Sequence, residues 1–105
     1  MSEITNLKKI PEYQEKSIIS RILLKNPGGN ITCFAFGEGE SLSEHTTPYD
    51  AFILCVEGEA EIKIAEEFYR LKENETIILP ANIPHAVKAI SNFKMLLVMI
   101  KSEKK

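Results

Sequence analysis

Residues 37–58 read GEGESLSEHTTPYDAFILCVEG. The stretch opens on a glycine turn and carries His45, one of two histidines in the chain. It then passes Pro48, enters the apolar run Ala51–Val56 and stops at Gly58. Short runs of branched and aromatic residues bounded by glycine and proline mark a buried strand. The spacing is Gly39, five residues, His45, one residue, Thr47, three residues, Ala51, six residues, Gly58. A second stretch repeats the device: Asn74, five residues, Pro80, one residue, Asn82, two residues, His85, three residues, Ala89. Each half is a punctuated loop that delivers a histidine to a strand entrance, and residues 59–73 separate the two.

Outward from these stretches the chain reads as strands and turns. Ser17–Lys25 is short and aliphatic, and Asn26-Pro27-Gly28-Gly29-Asn30 is a turn into Ile31–Phe36. Ser41–Asp50 reads as a loop, because Pro48 blocks regular ladder pairing. Ala60–Ile64 alternates apolar and charged side chains, the pattern of a half-buried antiparallel strand. Phe68–Leu71, Thr76–Leu79, His85–Ile90 and Phe93–Ile100 complete the set, with short polar turns between them. No stretch has a convincing helical period. The expected class is all-β, a sandwich or barrel of the jelly-roll kind. Residues 1–16 read as a polar, loosely structured lead-in.

Both stretches keep the register of the cupin family, which they resemble. Its first motif is Gly, five residues, His-x-His, three or four residues, Glu, six residues, Gly. Its second is Gly, five residues, Pro-x-Gly, two residues, His, three residues, Asn. The resemblance implies a small single-domain cupin: a double-stranded β-helix, or jelly-roll barrel, over residues 25–101. Residues 1–24 would form an N-terminal segment with a strand, open to exchange in a dimer, and residues 102–105 a polar tail. In this family three imidazoles and one carboxylate at the barrel mouth commonly bind Fe, Mn, Ni, Cu or Zn. Position by position, His45 matches the first histidine and His85 the third. Thr47 stands where the second histidine would be, and Ala51 where the glutamate would be.

His45 and His85 are therefore the candidate metal ligands of an incomplete site, and with Thr47 and Tyr49 the candidate ligand-binding residues. Alternation turns Glu44 and Asp50 away from that face, while Cys55 shares the inward face of Ala51 but lies deeper. Asn82, in place of a glycine, suits a left-handed turn. The expectation is weak metal binding at most, and affinity for a small organic anion favoured by protonated imidazole. Three functions follow: a stand-alone cupin binding a small organic ligand, a metal-dependent dioxygenase or isomerase, and a structural or regulatory homodimer with a vestigial pocket.

Composition bounds the partners. The chain has 105 residues, 44% of them apolar and 27% charged, with a net charge of −2, which argues against nucleic acid or an anionic membrane. Its N-terminus has no apolar core of the secretory kind, and the longest aliphatic run, Met95–Ile100, is too short to span a bilayer, so the expected location is cytoplasmic. Cys33 and Cys55 lie in apolar runs and are expected to be buried, reduced thiols. The last strand is apolar on both faces: Phe93, Met95, Leu97 and Met99 on one, Leu96, Val98 and Ile100 on the other. One face must fill the barrel, and the other needs a second sheet or a second subunit; with the aliphatic Ser17–Leu24, this predicts a homodimer.

Overall fold

The computed structural model describes residues 2–102, and among them the chain forms nine strands and no helix. They are β1 (Ile18–Asn26), β2 (Gly29–Phe36), β3 (Ser41–His45), β4 (Tyr49–Glu57), β5 (Glu59–Ile64), β6 (Glu67–Lys72), β7 (Thr76–Leu79), β8 (His85–Ala89) and β9 (Phe93–Lys101). Every pairing is antiparallel. A five-stranded sheet runs β1-β2-β9-β4-β7 and a four-stranded sheet β3-β8-β5-β6. Their inner faces enclose one core, which makes the chain an all-β jelly roll.

Strand alternation fills that core. Phe36, Ile53, Ile62, Phe93 and Met95 are almost fully withdrawn from water. Burying each such side chain contributes about 1.5–3 kcal/mol. The Phe36 and Phe93 rings sit 5.4 Å apart in a tilted arrangement, a geometry that aromatic quadrupoles favour. β9 lies between β2 and β4; Phe93, Met95, Leu97 and Met99 pack on the core, while Leu96, Val98 and Ile100 lie on the outer face of the sheet.

Two features of the sequence reading are amended. Ser41–His45 is a strand, not a loop, and only Thr46–Pro48 intervene before β4. Its hydrogen bonds go to β8 through the backbone, and of its side chains only Leu42 is half-buried, so the apolar signal of a strand is missing. The lead-in has no helix or strand, but it is anchored. Tyr13 Oη donates to Glu57 Oε2 at 2.9 Å, and Lys94 Nζ donates to the Lys8 carbonyl while lying 4.9 Å from the Tyr13 ring centroid. This contact explains how Lys94, in the middle of an apolar strand, can be buried. β1 begins at Ile18 and pairs with β2 of the same chain. Of the expected polar tail, residues 103–105 lie outside the described residues.

Candidate functional site

Both histidines arrive on adjacent strands of the four-stranded sheet. β3 pairs with β8 so that His45 is the register partner of His85. In a regular strand, Leu42 and His45 would point to opposite faces, being three residues apart. The register slips between them: Leu42 lies opposite Val87, and three residues further His45 lies opposite His85, only two residues back from Val87. The extra residue is a β-bulge. It restores His45 to the inner face, and Leu42 and His45 line the same cavity. Glu44, next in the chain, points outward and pairs with Lys63 at 2.9 Å.

The imidazole centroids are 4.4 Å apart with the rings inclined at 67°, an edge-to-face contact. His85 is 6% exposed, whereas His45 sits open at the rim. Each ring turns Nδ1 back onto the backbone carbonyl two residues upstream. His45 Nδ1 lies 2.7 Å from the Ser43 carbonyl, and His85 Nδ1 lies 3.2 Å from the Ile83 carbonyl. A carbonyl only accepts, so Nδ1 carries the proton on each ring and Nε2 is the atom left for a ligand. Burial holds the His85 imidazole below the usual histidine range; the nearby His45 adds to this and the Ile83 carbonyl opposes it. The shift favours the uncharged form of His85, in which Nε2 is an acceptor.

The cavity they guard measures about 50 Å³. Ala51, Ile53 and Leu79 line one side, and Met95, Leu97 and Met99 line it from β9. Its polar lining consists of His45, His85 and Thr47. Room exists for roughly three to five water-sized groups. That is well below the roughly 300–1,000 Å³ of pockets that take drug-sized ligands.

The rim is clamped by the two loops that the motifs define. Asn82 N–H donates to the Thr47 carbonyl at 2.7 Å, and Ala81 N–H donates to Asp50 Oδ1 at 2.9 Å. Asp50 is thus committed outside the cavity, as alternation predicted. Asn74 and Asn82, at φ 69° and 67°, both occupy the left-handed region at positions where the family motif has glycine. Thr47 lines the cavity, but its hydroxyl is engaged by the Tyr49 backbone at 3.2 Å. Tyr49 itself is half-buried at the start of β4 and is not among the cavity-lining residues. Cys55 is buried, donates its thiol to the Gly58 carbonyl and does not line the cavity either.

The family's divalent-metal set does not fit these residues. Among the described residues, no three His, Cys, Asp or Glu side chains converge. Thr47 and Ala51 supply neither imidazole nor carboxylate at the two remaining positions. The sequence reading missed Leu42, Met95 and Met99 as lining residues. The alternation of β9 places Met95 and Met99 on one face, but only strand pairing puts Met99 opposite Ala51.

The fold and the chain have known counterparts. The family model of the cupin domain matches residues 32–101. A conserved protein of unknown function from Streptococcus pyogenes is 36% identical, with a TM-score of 0.92 over 99% of this chain and 91% of its own. A cupin superfamily protein from Desulfitobacterium hafniense is 27% identical, with a TM-score of 0.91 over 97% of this chain and 94% of its own. A cupin 2 conserved barrel domain protein from Leptotrichia buccalis is 41% identical, with a TM-score of 0.89 over 92% of this chain, which spans 47% of that protein. No curated protein matches the chain. With the two motif loops, the facing sheets and this match over most of its length, the chain belongs to the cupin family.

Proposed function

We propose that the protein is a cupin that binds a compact, uncharged organic molecule at the barrel mouth, in the cavity beneath His45 and His85. One observation carries this reading: two imidazoles, each with Nδ1 committed to a carbonyl, close an otherwise apolar cavity of about 50 Å³. Such a site rewards a small apolar body with one hydrogen-bond donor to meet Nε2. 1-Propanol, with four heavy atoms, is a suitable probe, and acetate, of the same size, is the charged comparison. 1-Propanol is expected to shift the ring-proton NMR signals of both histidines at pH 8, and acetate is not. A 1-propanol response that survives in His85→Ala, or that bypasses both rings, refutes the reading. The dioxygenase or isomerase alternative needs protein ligands that Thr47 and Ala51 do not provide.

We further propose that the working form is a homodimer. On the outer face of the five-stranded sheet, Ile31, Val98, Phe52 and Ile78 form one row across four strands, with Leu96 and Leu54 beside them. Ile78 and Ile100 are more than half exposed, and the lead-in covers only the Lys94 end. A second copy of the same patch matches it in chemistry, as a two-fold contact requires. Sedimentation should show a dimer that Phe52→Lys converts to monomer; a wild-type monomer at micromolar concentration defeats the idea. Both thiols are free and buried, which suits a reducing compartment, and we assign the protein to the cytoplasm.

A further inference from the structure

Three side chains on the outer face of the five-stranded sheet are buried without belonging to the barrel interior. Ala35 and Cys33 on β2 are the register partners of Lys94 and Leu96 on β9, so all four share the face that carries Ile31 and Val98. Ala35, Cys33 and Lys94 are 0%, 2% and 4% exposed, yet neither Ala35 nor Cys33 is part of the core between the sheets. The lead-in supplies their cover. Its Lys8 carbonyl and Tyr13 ring hold Lys94, and between them Pro11 is buried and Ile10 half-buried.

This cover hangs on Tyr13. The ring lies 4.9 Å from Lys94 Nζ, and the hydroxyl donates at 2.9 Å to Glu57, the register partner of Lys94 on β4. The Lys8–Glu73 contact at 3.4 Å is exposed on both sides and adds little. A polar strap with so few buried contacts opens at much lower cost than the barrel unfolds. Opening it bares an ammonium beside Leu96, in the apolar face assigned above to a second copy. A copy pressed onto that face would then strip water from an unpaired charge, which is expensive. With the strap closed, the Lys8 carbonyl and the Tyr13 ring already satisfy that charge.

We propose that the lead-in is a latch coupled to self-association: closed over Lys94, it makes the outer face fit to receive a second copy, and open, it opposes that contact. The proposal rests on the homodimer reading and adds the device that regulates it. Linkage makes the coupling reciprocal, because a second copy that binds only the closed form holds the latch shut.

Cys33 beneath the latch and Cys55 in the barrel core are built-in reporters. In Tyr13→Ala, a thiol reagent at pH 7 followed by mass spectrometry should modify Cys33 about tenfold faster than in the wild type, or more, with Cys55 unchanged. That rate should fall as protein concentration is raised through the dimerisation range. In sedimentation, the dimer dissociation constant should rise about tenfold or more in Tyr13→Ala, and less in Tyr13→Phe, which keeps the ring over Lys94. Tyr13→Ala/Lys94→Met removes the ammonium while leaving the latch open, so it should regain wild-type dimer affinity. Cys33 that stays as slow in Tyr13→Ala as in the wild type overturns the proposal, as does Cys55 accelerating together with Cys33. A double variant that remains as weak a dimer as Tyr13→Ala overturns it too. A wild-type dimer that Tyr13→Ala leaves intact defeats the latch alone. A wild type that is monomeric at every concentration defeats the homodimer reading, and the coupling with it.

Discussion

Gly39 and Gly58, which bracket the first motif, share a φ of 86°, yet their surroundings differ completely. A Cβ built on Gly39 meets nothing within 4 Å, whereas on Gly58 it would fall 1.9 Å from the Asn92 carbonyl oxygen and 3.0 Å from Phe93 Cα. Alanine at either position incurs the left-handed penalty of about 1–2 kcal/mol. For Gly39→Ala that is the whole cost. Gly58→Ala must also push the β8–β9 turn back by roughly an ångström to reach normal contact. The same turn holds the Glu59 N–H to Ser91 Oγ bond at 3.1 Å and the Ile90 N–H to Glu59 carbonyl bond at 2.9 Å. It also seats the fully buried Phe93. Losing those two bonds at about 1 kcal/mol each brings the total to about 3–4 kcal/mol, before any loss of Phe93 packing. Each kcal/mol lowers the melting temperature of a domain this size by about 4–8 °C. Urea unfolding followed by circular dichroism should therefore show a modest loss for Gly39→Ala and a loss of most of the stability for Gly58→Ala. Equal losses would refute the reasoning, because they would mean that backbone conformation alone sets the cost.

Three further outcomes follow from the same geometry. Because burial depresses the His85 pKa, the unfolded chain takes up the proton first; stability is complete above the ordinary value of about 6.5 and falls as pH drops through it. Urea midpoints at pH 8 and pH 5.5 should differ in that direction, and His85→Asn should shrink the difference. Burial, seconded by nearby carboxylates including Glu73, pushes the Cys55 thiol up to about 11, and burial also raises that of Cys33. Both should therefore resist a thiol reagent at pH 7 until the protein is denatured, and fast native labelling would contradict this. Asn82→Val should cost about 1–2 kcal/mol, since a β-branched residue is poorly suited to φ 67°, while Asn82→Gly should be nearly neutral in thermal unfolding.

How much of this was legible in the chain depended on where the information sits. The alternation of Ala60–Ile64 and the doubly apolar Phe93–Ile100 are carried by consecutive side chains, so β5 and the core-facing side of β9 could be read directly. The two histidines announced themselves through spacing. β3 could not be read, because an edge strand held by backbone bonds to β8 needs only Leu42 as an apolar contact. Lys94 looked like an interruption of an apolar run. Its burial depends on the Lys8 carbonyl and the Tyr13 ring, 86 and 81 positions away in the chain. Met99 lay in plain view, but its neighbour Ala51 is a cross-strand fact that no local pattern encodes.

The bulge between Leu42 and His45 makes the mouth sensitive to parity. Deleting Ser43 or Glu44 alone would remove the extra residue, so that Leu42 and His45 stand two apart as Val87 and His85 do, and β3 would pair regularly with His45 still on the inner face opposite His85. Deleting both would make His45 the chain neighbour of Leu42 and turn it out into solvent, away from His85. The five-residue interval from Gly39 to His45 is thus less a length than an odd-or-even choice, in which losing one codon keeps the pocket and losing two switches it off.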